Sequence, residues 1–296
     1  MSQSHYKTDQ RRATARRNGK LDVGDAALYY EVVGQGPALV MISGAGGDAG
    51  FYSEAADTLA DTFTVVTYDR RGNSRSTGRA DARMSISQQA SDAKAVIDAC
   101  AGERAVVFGN SAGAIIGLAL AAAHPGSVIG LIAHEPPIVT LLHEDEPERV
   151  FLSRVLTIVQ DRGFAAAAKT FLEESRDIGA FEFPPGVGER FQGNLEHFFT
   201  HEYPEIIGFT PDLDGLKASG VPIVLASGAW NRGYARPAQV MAALLKTAWA
   251  EIPGHHLSFM ERPEAFAIAL CALASELFTR VGGVPEPWRT PRATAE

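Results

Sequence analysis

The sequence predicts an α/β fold, a mostly parallel sheet flanked by helices, and three observations predict it. Short apolar runs rich in Val, Ile and Phe alternate with stretches of helical spacing, the pattern of strands buried between covering helices. Several runs stop at glycine-rich or charged turns, where an α/β sheet places its loops. The alternation is interrupted once, from residue 138 to 217, where helical periodicity continues without a strong strand.

The elements follow in order. Residues 1–19 carry Arg11, Arg12, Arg16 and Arg17 but no apolar segment, and read as a disordered basic tail. Ala26–Val33 reads as a strand, Gly34-Gln35-Gly36-Pro37 as a turn, and Ala38–Ile42 as a strand apolar throughout, ending at Ser43-Gly44-Ala45-Gly46-Gly47. Phe51–Leu59 has helical spacing. Phe63–Tyr68 is a strand that ends at Asp69-Arg70-Arg71-Gly72-Asn73-Ser74-Arg75-Ser76. Ile86–Ala101 is an amphipathic helix leading into the strand Arg104–Phe108, and Ala114–Ala123 is the helix beyond it. Val128–Ala133 is the next strand and runs into His134-Glu135-Pro136-Pro137. After the excursion, Val221–Ser227 and Ala248–Ile252 are strands and Pro263–Arg280 a closing helix, followed from 282 to 296 by a flexible tail.

Composition narrows the function classes. The 296 residues are 46% hydrophobic and 21% charged, as in an ordinary globular chain. No uninterrupted apolar run approaches 18 residues, so no membrane span is expected. Cys100 and Cys271 show neither metal nor disulfide spacing and read as reduced thiols of a cytoplasmic protein, with no metal site. Between Ile138 and Lys217 fifteen acidic residues face seven basic ones, so this segment alone carries the net charge of −8. Such a field repels polyanions, and no nucleic-acid partner is expected.

The chemistry concentrates at Gly109-Asn110-Ser111-Ala112-Gly113, a Gly-x-Ser-x-Gly turn between strand and helix. A turn this sharp strains the serine and leaves no room for side chains two residues either way. It also sets the serine at a helix N-terminus, where developing negative charge is favoured. Of eight histidines, His134, His255 and His256 stand at strand ends, within reach of such a serine.

These landmarks together resemble the α/β-hydrolase family over residues 20–281. Gly44-Ala45-Gly46-Gly47 occupies the place of the family's His-Gly-x-Gly-Gly oxyanion loop, with Ser43 in place of the histidine. Asp69–Ser76 resembles its Asp-x-Arg-Gly-x-Gly-x-Ser turn, Ser74 replacing the second glycine. His256-Leu257-Ser258-Phe259-Met260-Glu261-Arg262-Pro263 resembles its His-x4-Glu-x-Pro signature. The resemblance implies an eight-stranded, mostly parallel sheet with a helical cap inserted after strand 6. It divides the chain into a core, 20–137 and 218–281, and a cap, 138–217.

It also implies roles. Ser111 is the expected nucleophile, His256 the base, and the backbone N–H groups of Ala45 and Ala112 the oxyanion hole. Family members commonly carry the triad aspartate after the strand corresponding to Val221–Ser227, but this chain has Gly228-Ala229-Trp230-Asn231 there and no Asp or Glu from Val221 to Ala250. Glu135, the one carboxylate between Gly126 and His143, is the expected acid, as in the somewhat similar zearalenone lactonases. Those enzymes carry a tryptophan in the cap, and this cap has none. Trp230, Gly44 and Asn110 are expected to face substrate, while Asp69 and Arg70 tie neighbouring loops together.

The expected activity is hydrolysis of a carboxylic ester or lactone of a small, largely apolar substrate by a monomer or homodimer, with no cofactor. A cofactor-free oxygenase or lyase, or a non-hydrolytic small-molecule receptor, is the alternative on the same scaffold.

Overall fold

The computed structural model describes residues 15–78, 82–175, 178–230 and 233–280. Residues 1–14 of the expected tail 1–19, and the expected tail 282–296, lie outside the described residues. The strands are β1 (Arg17–Asp22), β2 (Ala27–Val33), β3 (Ala38–Ile42), β4 (Thr64–Tyr68), β5 (Ala105–Asn110), β6 (Val128–His134), β7 (Ile223–Gly228) and β8 (Ala248–Ile252). They form one sheet in the order β1-β2-β4-β3-β5-β6-β7-β8. The β1–β2 and β2–β4 pairs are antiparallel and all other pairs parallel.

One boundary needs correction. Residues 17–19, expected in the basic tail, begin β1, which pairs with β2 in a register running from Arg17 opposite Val32 to Asp22 opposite Ala27. An edge strand with one partner can be polar, and Arg17-Asn18-Gly19-Lys20 carries none of the apolar alternation that marks a buried strand. Arg16 fastens its start to Glu31 (2.9 Å) and Asp57 (2.7 Å).

The inner strands divide their side chains between two cores, as a period of two requires. Val40 and Ile42 of β3 and Val107 of β5 pack with α2 (Ile86–Cys100) and α3 (Ala112–Ala123). Leu39 and Met41, with Val106 and Phe108, face the other way onto α1 (Ser53–Leu59) and the long C-terminal helix 263–280. These strand residues are wholly buried, and each such side chain contributes roughly 1.5–3 kcal/mol. α2 is capped by Ser85, whose hydroxyl accepts from the Gln88 N–H.

Between β6 and β7 the chain forms α4 (Pro147–Arg162), α5 (Phe164–Glu174), α6 (Val187–His197), a π-turn (Phe198–Glu202), α7 (Tyr203–Ile207) and α8 (Leu213–Ser219). Phe171 meets Phe198, Phe199 and Tyr203 at ring separations of 5.8–6.2 Å. Much of the aromatic content of this insertion thus packs within itself. The chain returns through α9 (Ala235–Leu245), α10 (Ser258–Glu261) and α11 (Pro263–Arg280). Among the described residues no helix is long and apolar enough to cross a membrane.

Candidate active site

Ser111 sits between the end of β5 and the first residue of α3, with φ 55° and ψ −120°. A non-glycine residue in this region costs on the order of 1–3 kcal/mol and persists only where the surroundings enforce it. The enforcement is visible at the flanking glycines. A Cβ on Gly109 would lie 2.3 Å from the Gly113 oxygen, and one on Gly113 would lie 2.1 Å from the Ile42 oxygen. The Ser111 N–H donates to the His134 carbonyl (2.9 Å), tying the turn to the end of β6. Ala112 begins α3, so the helix leaves its N–H unpaired and its dipole adds positive potential there.

The loop after β3 passes directly over this turn. A Cβ on Gly44 would meet Ser111 Cβ at 3.2 Å and Asn110 Oδ1 at 3.0 Å. The loop is closed by Gly47 N–H donating to Gly44 O (3.2 Å), and the buried Ser43 hydroxyl donates to Gly47 O (3.1 Å). Ala45, between them, is half-buried.

Glu135 and His256, 121 residues apart in sequence, are brought together. His256 Nδ1 lies 2.5 Å from Glu135 Oε2, and Glu135 Oε1 accepts the Gly228 N–H (2.7 Å). Glu135 is wholly buried, with φ 49°. Burial opposes its charge, yet the neighbouring imidazoles of His134 and His256 and the Gly228 N–H hold the carboxyl below the usual carboxylate range. An ionised carboxylate only accepts, so Nδ1 of His256 carries the proton shared with it and Nε2 is the nitrogen turned away from the carboxylate.

The other two histidines have different partners. His255 is held by Glu261, which accepts its backbone N–H (2.8 Å) and lies 3.0 Å from its Nδ1. Burial lowers the pKa of His134 to about 4, so its ring is neutral at pH 7. Its Nδ1 accepts from Asn110 Nδ2 (3.1 Å), which also donates to the His256 carbonyl (3.1 Å).

Asn110, expected to face substrate, is therefore 1% exposed and occupied behind the two histidines. Trp230 is exposed, packed edge-on against His255 and under the Arg262 guanidinium. Asn231 lies outside the described residues. Sequence reasoning missed Tyr234, whose ring stacks on His256 at 4.3 Å and 25° between planes. Tyr234 also lines a cavity of about 230 Å³ with Pro137, Phe151, Leu152 and Pro237 and the carboxylates Glu148 and Glu174; Ser111 and His256 are not among its lining residues. The legible signal was an aromatic residue just after the β7 loop; no spacing rule pairs it with the imidazole.

Asp69 and Arg70 do tie loops together. Asp69 accepts the Ala49 N–H (2.9 Å) and three N–H groups of Arg75 (2.8–2.9 Å). Arg70 reaches into the insertion, where it forms a forked pair with Glu202. Among the described residues no group of three or more His, Cys, Asp or Glu is placed to hold a metal.

Comparison with known proteins agrees with this geometry at the level of family. A model described as the alpha/beta hydrolase family matches residues 39–270. The uncharacterized hydrolase YraK of Bacillus subtilis is 33% identical over 249 residues, covering 82% of this chain and 90% of that protein. A zearalenone hydrolase of Cladophialophora bantiana is 28% identical over 249 residues, covering 81% and 89%. Among solved structures, a hydrolase from Pseudomonas aeruginosa superposes with a TM-score of 0.67 at 23% identity, covering 86% of this chain and 97% of that one.

Proposed function

We propose that this chain, which belongs to the alpha/beta hydrolase family, is a serine hydrolase that cleaves a carboxylic ester or lactone through an acyl-enzyme. The observation that carries the reading is the buried contact between Glu135 and His256 Nδ1. It fixes the tautomer in which Nε2 is the base, on the loop that follows the last strand.

In this mechanism Ser111 Oγ attacks the substrate carbonyl carbon while its proton passes to His256 Nε2. Glu135 holds Nδ1–H and offsets the imidazolium charge. The tetrahedral oxyanion is received by the N–H groups of Ala45 and Ala112, and the loss of one such donor costs about 3 kcal/mol of barrier. Collapse breaks the bond to the leaving oxygen, which takes the proton from Nε2. Water then attacks the acyl carbon as its proton passes to the same nitrogen. Collapse of the second tetrahedral intermediate breaks the bond to Ser111 Oγ, which takes that proton back as the acid product leaves.

The cavity beside Tyr234, mostly apolar although Glu148 and Glu174 stand on its wall, supports a largely apolar substrate, with Tyr234 the link between it and His256. The likeness to a zearalenone hydrolase supports hydrolysis of a lactone.

Two measurements test the reading together: fluorophosphonate labelling mapped to Ser111 by peptide mass, and turnover of p-nitrophenyl acetate. Labelling without turnover is the outcome expected of a receptor. Oxygen uptake with an aromatic heterocycle, in place of ester turnover, would make the protein an oxygenase.

A further inference from the structure

Arg70 and Glu202 are both wholly buried, one on the turn after β4 and the other at the end of the π-turn of the insertion. Guanidinium Nη1 donates to Oε1 at 2.8 Å and Nη2 to Oε2 at 2.9 Å, a two-pronged geometry that fixes the plane of the guanidinium. Taking two charges out of water costs several kcal/mol each, so a buried pair is weak evidence of a stabilising device. Besides Met84 Sδ at 3.7 Å from Nη1 and His197 Nε2 at 3.9 Å from Oε1, the pair makes two further contacts. Arg70 Nη2 also donates to the Gly44 carbonyl (3.1 Å), and Asn73 Nδ2 donates to Glu202 Oε1 (2.9 Å).

Gly44 C=O and Ala45 N–H are opposite ends of one planar trans peptide unit. The oxygen takes two donors, the Gly47 N–H that closes the loop and Arg70 Nη2; together they set the direction of the N–H, and the cationic one polarises it further. The same loop is gripped a second time from the insertion. Asn194 of α6 donates to the Gly46 carbonyl (2.9 Å) and to the Ser74 hydroxyl (2.8 Å), while Arg190 pairs with Asp48.

We propose that Arg70 and Glu202 are positioning residues for the oxyanion hole. Glu202, supplied by the helical insertion, aims Arg70 at the Gly44 carbonyl and so orients and polarises the peptide whose N–H, that of Ala45, receives the oxyanion. The proposal rests on the serine hydrolase reading above. It makes the insertion part of the catalytic geometry as well as a cover.

The test compares wild type, Glu202→Gln, Arg70→Lys and the double variant R70M/E202M. Each is followed by circular dichroism melting, p-nitrophenyl acetate kinetics and inhibition by an aryl trifluoromethyl ketone, whose adduct with serine carries an oxyanion. The double variant removes both charges together and leaves neither buried alone. The expected result for it is a folded protein, KM within about two-fold, and kcat lower by about a hundred-fold, the scale of an ångström-sized misplacement. Ketone affinity falls in step with kcat/KM, and Arg70→Lys, which keeps the charge without the fork, is intermediate.

A folded double variant with wild-type kcat overturns the proposal. So does a loss of kcat with unchanged ketone affinity, or failure of all three variants to fold, which would make the pair purely structural. Wild type that neither labels at Ser111 nor turns over the ester overturns the hydrolase reading itself. Wild-type turnover with unimpaired variants overturns the positioning role alone.

Discussion

Glu135 reaches His256 from a backbone conformation with φ 49°, held by its own N–H on the Ala226 carbonyl and by its Oε1 on the Gly228 N–H. Glutamine at this position keeps the length and one acceptor but cannot offset an imidazolium, and its amide favours the wrong tautomer. Glu135→Gln is therefore expected to lower kcat by about 10³–10⁴-fold with the fold intact, measured as p-nitrophenyl ester turnover beside a melting curve. Wild-type kinetics would remove Glu135 from the relay. The two adjacent histidines separate by partner: His256 by Glu135, His255 by Glu261. His256→Ala should abolish fluorophosphonate labelling of Ser111 and His255→Ala should leave it, and the reverse pattern would reassign the base.

At the scale of elements, one tight constraint is where α3 meets the end of β3. A Cβ on Gly113 would press on the Ile42 and Ser43 carbonyl oxygens at 2.1 and 2.8 Å, and backbone cannot move aside as a side chain can. Gly113→Ala is expected to lower Tm by about 5 °C, the scale of an overpacked core contact in a chain of this size. Gly126→Ala, where a Cβ meets nothing within 4 Å, should leave it unchanged. Equal melting temperatures would mean that the turn relaxes.

The same elements explain what the sequence makes legible. The inner strands announce themselves because both faces are buried and the run is apolar throughout, as in Leu39–Ile42. β1 does not, because an exposed edge strand tolerates Arg17, Asn18 and Lys20. The serine turn is a local pattern that spacing reports, whereas the role of the carboxylate at the end of β6 comes from the family resemblance and the absence of Asp or Glu from Val221 to Ala250. The pair Arg70–Glu202 spans 132 residues, and Tyr234 meets His256 only through the tertiary fold, so no local pattern reports either.

For the whole molecule, three buried groups on the acid side, His134, Glu135 and Glu202, favour the same pH direction. His134 stays neutral in the native state down to about pH 4, whereas an imidazole in an unfolded chain titrates near ~6.5. Between those values the unfolded chain binds the proton and the native one does not, so stability falls as pH drops through the window. The loss from this group, wholly buried and with a native pKa of about 4, approaches about 3 kcal/mol. Glu135 and Glu202 act with the same sign at lower pH. Burial opposes the charge of each, but the partners already named hold both below the ordinary carboxylate range, so their contribution is complete above that range and lost as pH falls through their native values. Thermal melting between pH 7 and 4.5 should steepen this loss for wild type and flatten it in His134→Gln, which keeps an acceptor for Asn110. Parallel slopes would exclude His134 as the source.

The carboxylate at position 135 stands at the end of β6, and this has a bearing on how the scaffold can be re-engineered. With the proposed proton relay anchored there, the connection from β7 to α9 is released from supplying an acid. Libraries that diversify the exposed part of that connection, Trp230 included, are then free to alter which substrates are admitted while the reactive groups stay in register.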